Sequence, residues 1–346
     1  MKKSSIIGHF GFGLNCLDGQ TVKTKTVTEE MERKFGSSEV EKFDTHGGKK
    51  TLFKLPFLVL KALKSSKNII ILPAQNGLKV ITPTLLFLKK FFKGRKIHYV
   101  VIGGWLPEFL EKKKYLLCSL KKFDGIFVET VSMKSALEYY GFKNVAVVPN
   151  FKKIPVIDEK ELVYNNKAPF SVCTFSRVSK EKGIENAVEA VINVNKSLGY
   201  QAFSLDIYGQ IDDDQKNWFK KLKSSFPEYV SYGGLVPFEK SVEKIKNYFA
   251  LLFPTYYEGE GFAGTLIDAF SAGVPVVASD WKYNSEIVNE NVGFLFKSQN
   301  LKEFESILKS IAVNPEQINM KKKSCLREAL KYIPENALKP LFDWLI

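Results

Sequence analysis

Strand-like and helix-like stretches alternate through the second half of the chain, and that alternation restricts the possible folds more than any other feature. "PFSVCTF" from Pro169 is rich in β-formers, and "GIENAVEAVINV" after it places Ile184, Ala187, Val188, Val191 and Ile192 on one helical face. "FSLDIYG", "ALLFPT", "PVVAS" and "GFLF" repeat the strand pattern, with helical "VEKIKNYF" and "TLIDAFSA" between them. Asn300 and Glu303 have the spacing of a capping pair ahead of a further helix that begins "NLKE". Strands separated by helices pair in parallel, so the pattern predicts an α/β fold: a parallel sheet with helices on both faces.

The first half follows the same grammar less cleanly, with expected strands over residues 4–10, 68–72, 97–102, 125–128 and 145–148. A polar stretch with two prolines, "NFKKIPVIDEKELVYNNKAP" from Asn150, separates the halves. At 346 residues the chain exceeds what one core usually organises. The expectation is two Rossmann-like domains facing across a cleft: residues 1–150, a linker over 151–168, and residues 169–330. Ligands of such sheets bind beyond the carboxyl ends of the strands, which two facing domains would share.

Charge divides unevenly. Residues 1–150 hold 26 Lys and Arg against 12 Asp and Glu, and residues 151–346 hold 25 of each, so the net +14 sits entirely in the first half. That half should attract a polyanion or an anionic surface. "LLFLKKFFKGRK" from Leu85 and "LEKKKYLLCSLKKF" from Leu110 mix apolar residues with cations, which suits either a lipid headgroup layer or core helices with solvated lysines. The start of the chain has too short an apolar run for a signal peptide, and the most apolar window, from Asn68, is interrupted by Pro73, Lys79 and Pro83. Cys16, Cys118, Cys173 and Cys325 form no CxxC pair, which argues against a zinc site or a disulfide framework. The expected location is the cytoplasm, with membrane contact at most peripheral, on the inner face of the cell membrane.

Chemistry concentrates in "YYEGEGFAGTLIDAFSAGVPVVASD" from Tyr256. Glycines ahead of a helix let backbone N–H groups approach an anion that the helix dipole also favours. Glu260 stands at the lip and Asp268 one or two turns into the helix, placed to accept hydrogen bonds from vicinal hydroxyls. A nucleotide sugar combines the phosphates and both sets of hydroxyls. Alternatively, Glu260 complements the helix dipole and Asp268 is a solvated helix residue, although the flanking Leu266, Ile267, Ala269 and Phe270 suggest a buried helix. In "FSRVSKEKGIENA", Arg177 and Lys182 occupy a loop between strand and helix, either reaching into the cleft or forming a solvated charge cluster.

Glu260, seven residues, Asp268, then "AFSAGVPVVASDWKYNSEIV" and "GFLF" resemble the signature of glycosyltransferase family 4, whose fold is GT-B. "FSRVSKEKGIENAVEAV" and "LDIYG" resemble its preceding segments, so the likeness runs over about residues 170–296. It implies a retaining transferase that moves a sugar from a UDP- or GDP-linked donor to a saccharide acceptor in cell-surface polysaccharide synthesis. It implies no cofactor and no metal; "DDD" at Asp212–Asp214 reads as solvated surface. Arg177 and Lys182 would hold the donor diphosphate, Glu260 the donor sugar, the backbone of Gly261, Phe262, Ala263 and Gly264 the sugar and phosphate, and Asp268 the ribose. Asp268 stands where the family has Glu, and Glu286 aligns with a later Glu of the pattern. "GHFGFGLNCLDGQTVKTKTVTEEM" resembles the N-terminal glycine loop, which would bring Gly19 and Gln20 to the phosphates unless Gly19 is simply a turn glycine. Many members carry a histidine in the middle of the first domain, where this chain has Gly103, Gly104 and Trp105; His98 reads as structural. Donor-base selectivity would rest on loops such as "YGGLVPFEK" from Tyr232. By analogy with related folds, residues 331–346 would form a helix returning to the first domain. The basic half, as the acceptor domain, suggests a polyprenyl-diphosphate-linked acceptor on an anionic membrane surface and no nucleic acid. A sugar-nucleotide epimerase of the same fold and a basic nucleic-acid-binding protein are the alternatives.

Overall fold

The computed structural model describes residues 1–14, 19–47 and 49–346, and Cys16 and the end of the N-terminal glycine loop lie outside them. Two compact units emerge: Met1–Asn150 together with Pro334–Ile346, and Phe151–Ile333.

The first unit runs β1 (Lys2–Gly8), α1 (Gly19–Phe35), β2 (Val40–Asp44), α2 (Lys49–Ser65), β3 (Ser66–Ile71), α3 (Gln75–Lys89), β4 (Lys96–Val100), α4 (Leu106–Glu111), α5 (Lys114–Leu120), β5 (Gly125–Val128), α6 (Val131–Tyr139) and β6 (Val145–Val147). Its sheet is parallel, in the order β2-β1-β3-β4-β5-β6. Ile6 and Ile7 of β1 and Ile69, Ile70 and Ile71 of β3 are fully buried, the continuous apolar run of strands covered on both faces. The chain steps one way from β1 to β2 and then the other way through β3 to β6. Right-handed crossovers therefore put α1 on one face and α2, α3 and α5 on the other, where α3 packs between α2 and α5.

The second unit runs β7 (Phe170–Phe175), α7 (Ile184–Leu198), β8 (Phe203–Tyr208), α8 (Lys216–Lys223), β9 (Val230–Gly234), α9 (Ser241–Ile245), β10 (Ala250–Phe253), α10 (Gly264–Ser271), β11 (Val276–Ser279), α11 (Asn284–Ile287), β12 (Gly293–Phe296), α12 (Leu301–Val313), α13 (Glu316–Asn319) and α14 (Lys322–Ala329). Its parallel sheet has the order β12-β11-β10-β7-β8-β9. Ile184, Ala187, Val188 and Val191 are buried as the spacing predicts, in a cluster shared with Phe304 and Leu308 of α12. Asn300 caps α12 by accepting the Glu303 N–H at 3.2 Å, while Glu303 accepts from the Lys297 N–H rather than closing the box.

Three expectations are corrected. Residues 151–168, read as a linker, cluster with the second unit: the Ile157 N–H donates to the Ser271 carbonyl, and Leu162 lies against Gly273. Tyr232–Gly234, read as loop, forms the end of β9. In the stretch from Leu110, Leu110, Leu116, Leu120 and Phe123 are buried, whereas Tyr115 and the lysines beside it are exposed. The chain's last segment contributes α15 (Pro334–Ala337) and α16 (Lys339–Leu345) to the first unit, not from residue 331 but from Pro334. There the Trp344 ring meets Phe127 at 5.4 Å and Phe342 meets Phe35 at 5.9 Å.

Candidate active site

The second sheet reverses direction at β7: its sequence neighbour β8 lies on one side and β10 on the other. The chain leaves β7 toward β8 and β10 toward β11, on opposite sides, and the carboxyl ends of strands at such a reversal are where open α/β sheets bind ligands. Arg177 and Lys182 follow β7, and Thr255, Tyr257 and Glu260 follow β10. Gly183 makes their approach possible: its φ is +71°, and a Cβ there would stand 2.1 Å from the Pro254 carbonyl oxygen. The turn between β7 and α7 can press against the end of β10 only without a side chain at this position.

Lys182 and Glu260, 78 residues apart, meet in a buried pair, with Lys182 Nζ 2.6 Å from Glu260 Oε2. The Thr255 hydroxyl donates to the same oxygen at 2.7 Å. Lys182 Nζ also lies 4.8 Å from the centre of the Tyr257 ring, and the Arg177 guanidinium lies 5.2 Å from it. Tyr257 is fixed in turn by Trp281, whose indole N–H donates to its carbonyl at 2.7 Å. Arg177 is half exposed and bonds Asp212 at 3.0 Å. So Asp212, expected to be solvated surface, is the partner of a site residue. The two cations gather about one aromatic ring, and Glu260 accepts from both a lysine and a hydroxyl.

Helix α10 starts beyond this cluster with no side-chain cap and no acid in its first turn. Its leading N–H groups and dipole are therefore available to an anion. Gly261, Ala263 and Gly264 are partly exposed there, whereas the Phe262 side chain turns into the core and packs edge-on to Tyr332 at 4.8 Å. Phe262 can offer a ligand only its backbone.

Asp268 is 2% exposed, so it is no solvated helix residue. Both its oxygens accept from Lys152 Nζ, at 2.5 and 2.6 Å, and one accepts from the Ser241 hydroxyl at 2.9 Å. Burial pushes its carboxyl above the usual range, and Lys152 and Ser241 offset that only in part. Sequence reasoning missed Lys152, which lies 116 residues before its partner and in no motif. It also passed over Thr255 and Tyr257, although their place just after a strand marks them.

In the first unit, Gly19 is the first residue of α1, has open space where a Cβ would stand, and does not adopt a positive φ; a turn does not require glycine here. The Gln20 amide donates to the Leu72 carbonyl at 3.1 Å, tying α1 to the end of β3. The loop after β1 is held by Asp44, which accepts from the N–H groups of Phe10, Phe12 and His46. Burial raises the Asp44 carboxyl, but these backbone bonds more than offset it and hold it below its ordinary value. His98 is buried in β4, 3.2 Å from Asn68 Oδ1, and desolvation lowers its pKa to about 4. It is a core residue. Trp105 donates to the Ile102 carbonyl at 2.8 Å, beside Gly103 at φ +82°. Glu286 lies in α11, with its N–H bonded to the Tyr283 carbonyl.

Residues 157–325 match the family model described as Glycosyl transferases group 1. Over 285 residues the chain is 25% identical to an uncharacterized glycosyltransferase of Methanocaldococcus jannaschii, across 75% of this chain and 67% of that one. It is 28% identical over 179 residues to the UDP-N-acetylglucosamine–peptide N-acetylglucosaminyltransferase GtfA subunit of Streptococcus pneumoniae, across 51% of this chain. That alignment spans about a third of the streptococcal protein, 34% of its length. The HepE protein of Anabaena, solved with UDP and glucose, shares the fold with a TM-score of 0.72 at 15% identity, over 100% of this chain and 99% of that one. The architecture is thus GT-B, two parallel six-stranded sheets among the described residues. The group 1 match and these relatives support a transferase of the glycosyltransferase class.

Proposed function

We propose that this chain is a retaining glycosyltransferase of family 4 that moves a sugar from a UDP- or GDP-linked donor to a lipid-linked saccharide in cell-surface polysaccharide synthesis. The observation that carries the reading is the Lys182–Glu260 pair beside Arg177, at the reversal point of the second sheet and near the uncapped start of α10. A lysine ammonium has three donors and an arginine five, so neither is exhausted by its carboxylate partner. Both can also serve a diphosphate. The C1–oxygen bond to the diphosphate breaks while the acceptor oxygen bonds to C1 on the same face, and the acceptor proton passes to the departing phosphate. Arg177, Lys182 and the α10 amides stabilise the charge that develops there. Glu260 orients the sugar through its hydroxyls. Asp268 lies just over one turn into α10 for the ribose, and the basic first unit meets an anionic membrane that carries a polyprenyl-diphosphate acceptor.

The test is nucleoside-diphosphate release from a panel of UDP- and GDP-sugars, with and without lipid-linked acceptors, comparing wild type with Glu260→Gln and Arg177→Ala. Acceptor-dependent release from one donor, lost in both variants, supports the reading. Conversion of a nucleotide sugar to an isomer without acceptor, or full activity in both variants, would sink it.

A further inference from the structure

From Lys49 to Lys96 the chain carries twelve Lys and Arg and not one Asp or Glu. This run builds α2 and α3, neighbours on one face of the first sheet. Their inward residues are ordinary core: Leu55, Val59, Ala62 and Leu63 on α2, and Leu78, Ile81 and Leu85 on α3, are all buried. Their outward faces are unusual. Phe53 is 89% exposed and Phe57, one turn on, 68%; Phe87 is 60% exposed and Phe91, just past the end of α3, 70%. Phe87 and Phe91 touch edge to face at 5.9 Å. Exposed lysines interleave with these rings: Lys54, Lys61 and Lys64 on α2, and Lys90 and Lys93 after α3. Lys61 and Lys89 have acid partners within 4 Å, Glu41 and Asp124. Four exposed phenylalanines, two on α2 and two at the end of its neighbour α3, are more apolar exposure than singly scattered residues account for.

We propose that the outer face of α2 and α3 docks on an anionic lipid bilayer, with Phe53, Phe57, Phe87 and Phe91 entering the headgroup layer. The lysines between them meet the lipid phosphates. Charge decides the occupant: exposed rings interleaved with Lys54, Lys64, Lys90 and Lys93, on or just past helices that carry no acid of their own, suit a uniformly negative interface with an apolar interior. No helix among the described residues is long and apolar enough to cross a membrane, so the contact lies in the plane of the surface. The inference deepens the lipid-linked acceptor reading by assigning the membrane contact to residues. It places that contact on α2 and α3, where four phenylalanines are exposed, rather than on the stretch from Leu110, where Leu110, Leu116, Leu120 and Phe123 are buried and Tyr115 is exposed.

The experiment is co-sedimentation of the 346-residue chain with vesicles of pure phosphatidylcholine and of phosphatidylcholine with phosphatidylglycerol, without donor or acceptor. Binding should require the anionic lipid and weaken by roughly fivefold for each of Lys54→Glu and Lys90→Glu. It should weaken by on the order of tenfold for the pair Phe57→Ser and Phe87→Ser, whose side chains support no core. Thermal unfolding of every variant should match wild type. Equal binding to both vesicle types, no binding, unchanged binding in the phenylalanine pair, or salt-sensitive binding to single-stranded RNA in place of vesicles each overturns the proposal. Nucleoside-diphosphate release with a soluble acceptor separates the two readings. If the phenylalanine pair keeps that activity but leaves the vesicles, the docking face stands; if wild type shows none, the transferase reading fails while the vesicle result is judged alone.

Discussion

Lys152→Met should expose what the second unit invests in Asp268. The carboxylate is 2% exposed, and two of its three hydrogen bonds come from one lysine. Methionine keeps the aliphatic bulk and removes the charge, leaving a buried carboxylate with the Ser241 hydroxyl alone. Removing one partner of a buried pair costs about 3–5 kcal/mol. Protonation limits the cost: forcing a carboxyl of unfolded pKa about 3.9 to be neutral costs about 1.4 kcal/mol per pH unit above that value. The ceiling is therefore about 5–6 kcal/mol at pH 8 but only about 1.5 kcal/mol at pH 5. The sign follows from the raised carboxyl: below the unfolded pKa both states hold the proton and nothing is lost, and the destabilisation grows as pH rises toward the folded pKa. In the variant that folded pKa moves higher still. For a unit spanning residues 151–333, the expected fall in Tm is on the order of 10 °C at pH 8 and a few degrees at pH 5. Adding Asp268→Asn should recover most of the loss, since an amide needs no counter-charge and can still bond Ser241. Scanning calorimetry of both variants at the two pH values is the assay. A Tm loss equal at pH 5 and pH 8, or below about 2 °C at pH 8, would refute the reasoning.

His98 supplies a second pH signature. Its pKa falls to about 4 in the fold, so its contribution is complete above the unfolded value near 6.5 and declines as pH drops toward 4, by about 3 kcal/mol in all. The stability difference between wild type and His98→Gln should shrink by that amount between pH 7 and pH 4, measured by denaturant unfolding. Gly183→Ala should cost about 2–5 kcal/mol, combining a left-handed alanine with a Cβ driven into the Pro254 carbonyl. It should also depress nucleoside-diphosphate release, because Lys182 adjoins the displaced turn; an unchanged Tm and an unchanged rate would contradict the close approach described at that glycine.

Strands with uniformly buried isoleucine or valine were legible in the sequence because burial on both faces leaves only one kind of residue to choose from. The two strands that escaped notice, Val40–Asp44 and Val230–Gly234, are edge strands, and edges carry polar and glycine residues that read equally as loop. The same asymmetry holds at the site. Lys182 and Glu260 stand in motifs whose spacing to strand and helix is local, and the fold brings them to 2.6 Å. Lys152 and Asp212 become partners only through tertiary contact, and no periodicity encodes a partner 116 residues away. The exposed phenylalanines illustrate a further limit: hydrophobic pattern locates a helix but cannot say which of its apolar residues the core has room for.

The tail that joins the first unit bears on how the molecule is made. The second unit is one unbroken stretch, residues 151–333, whereas the first is interrupted by it and resumes at Pro334. A ribosome therefore completes the second unit while the first still lacks the helix that seats Trp344 on Phe127 and Phe342 on Phe35. Those aromatic faces stay uncovered until Pro334–Ile346 has emerged. Translation that stops short of Pro334 would yield a folded second unit attached to an unfinished first unit. Such a product exposes the apolar surface that chaperones and proteases recognise.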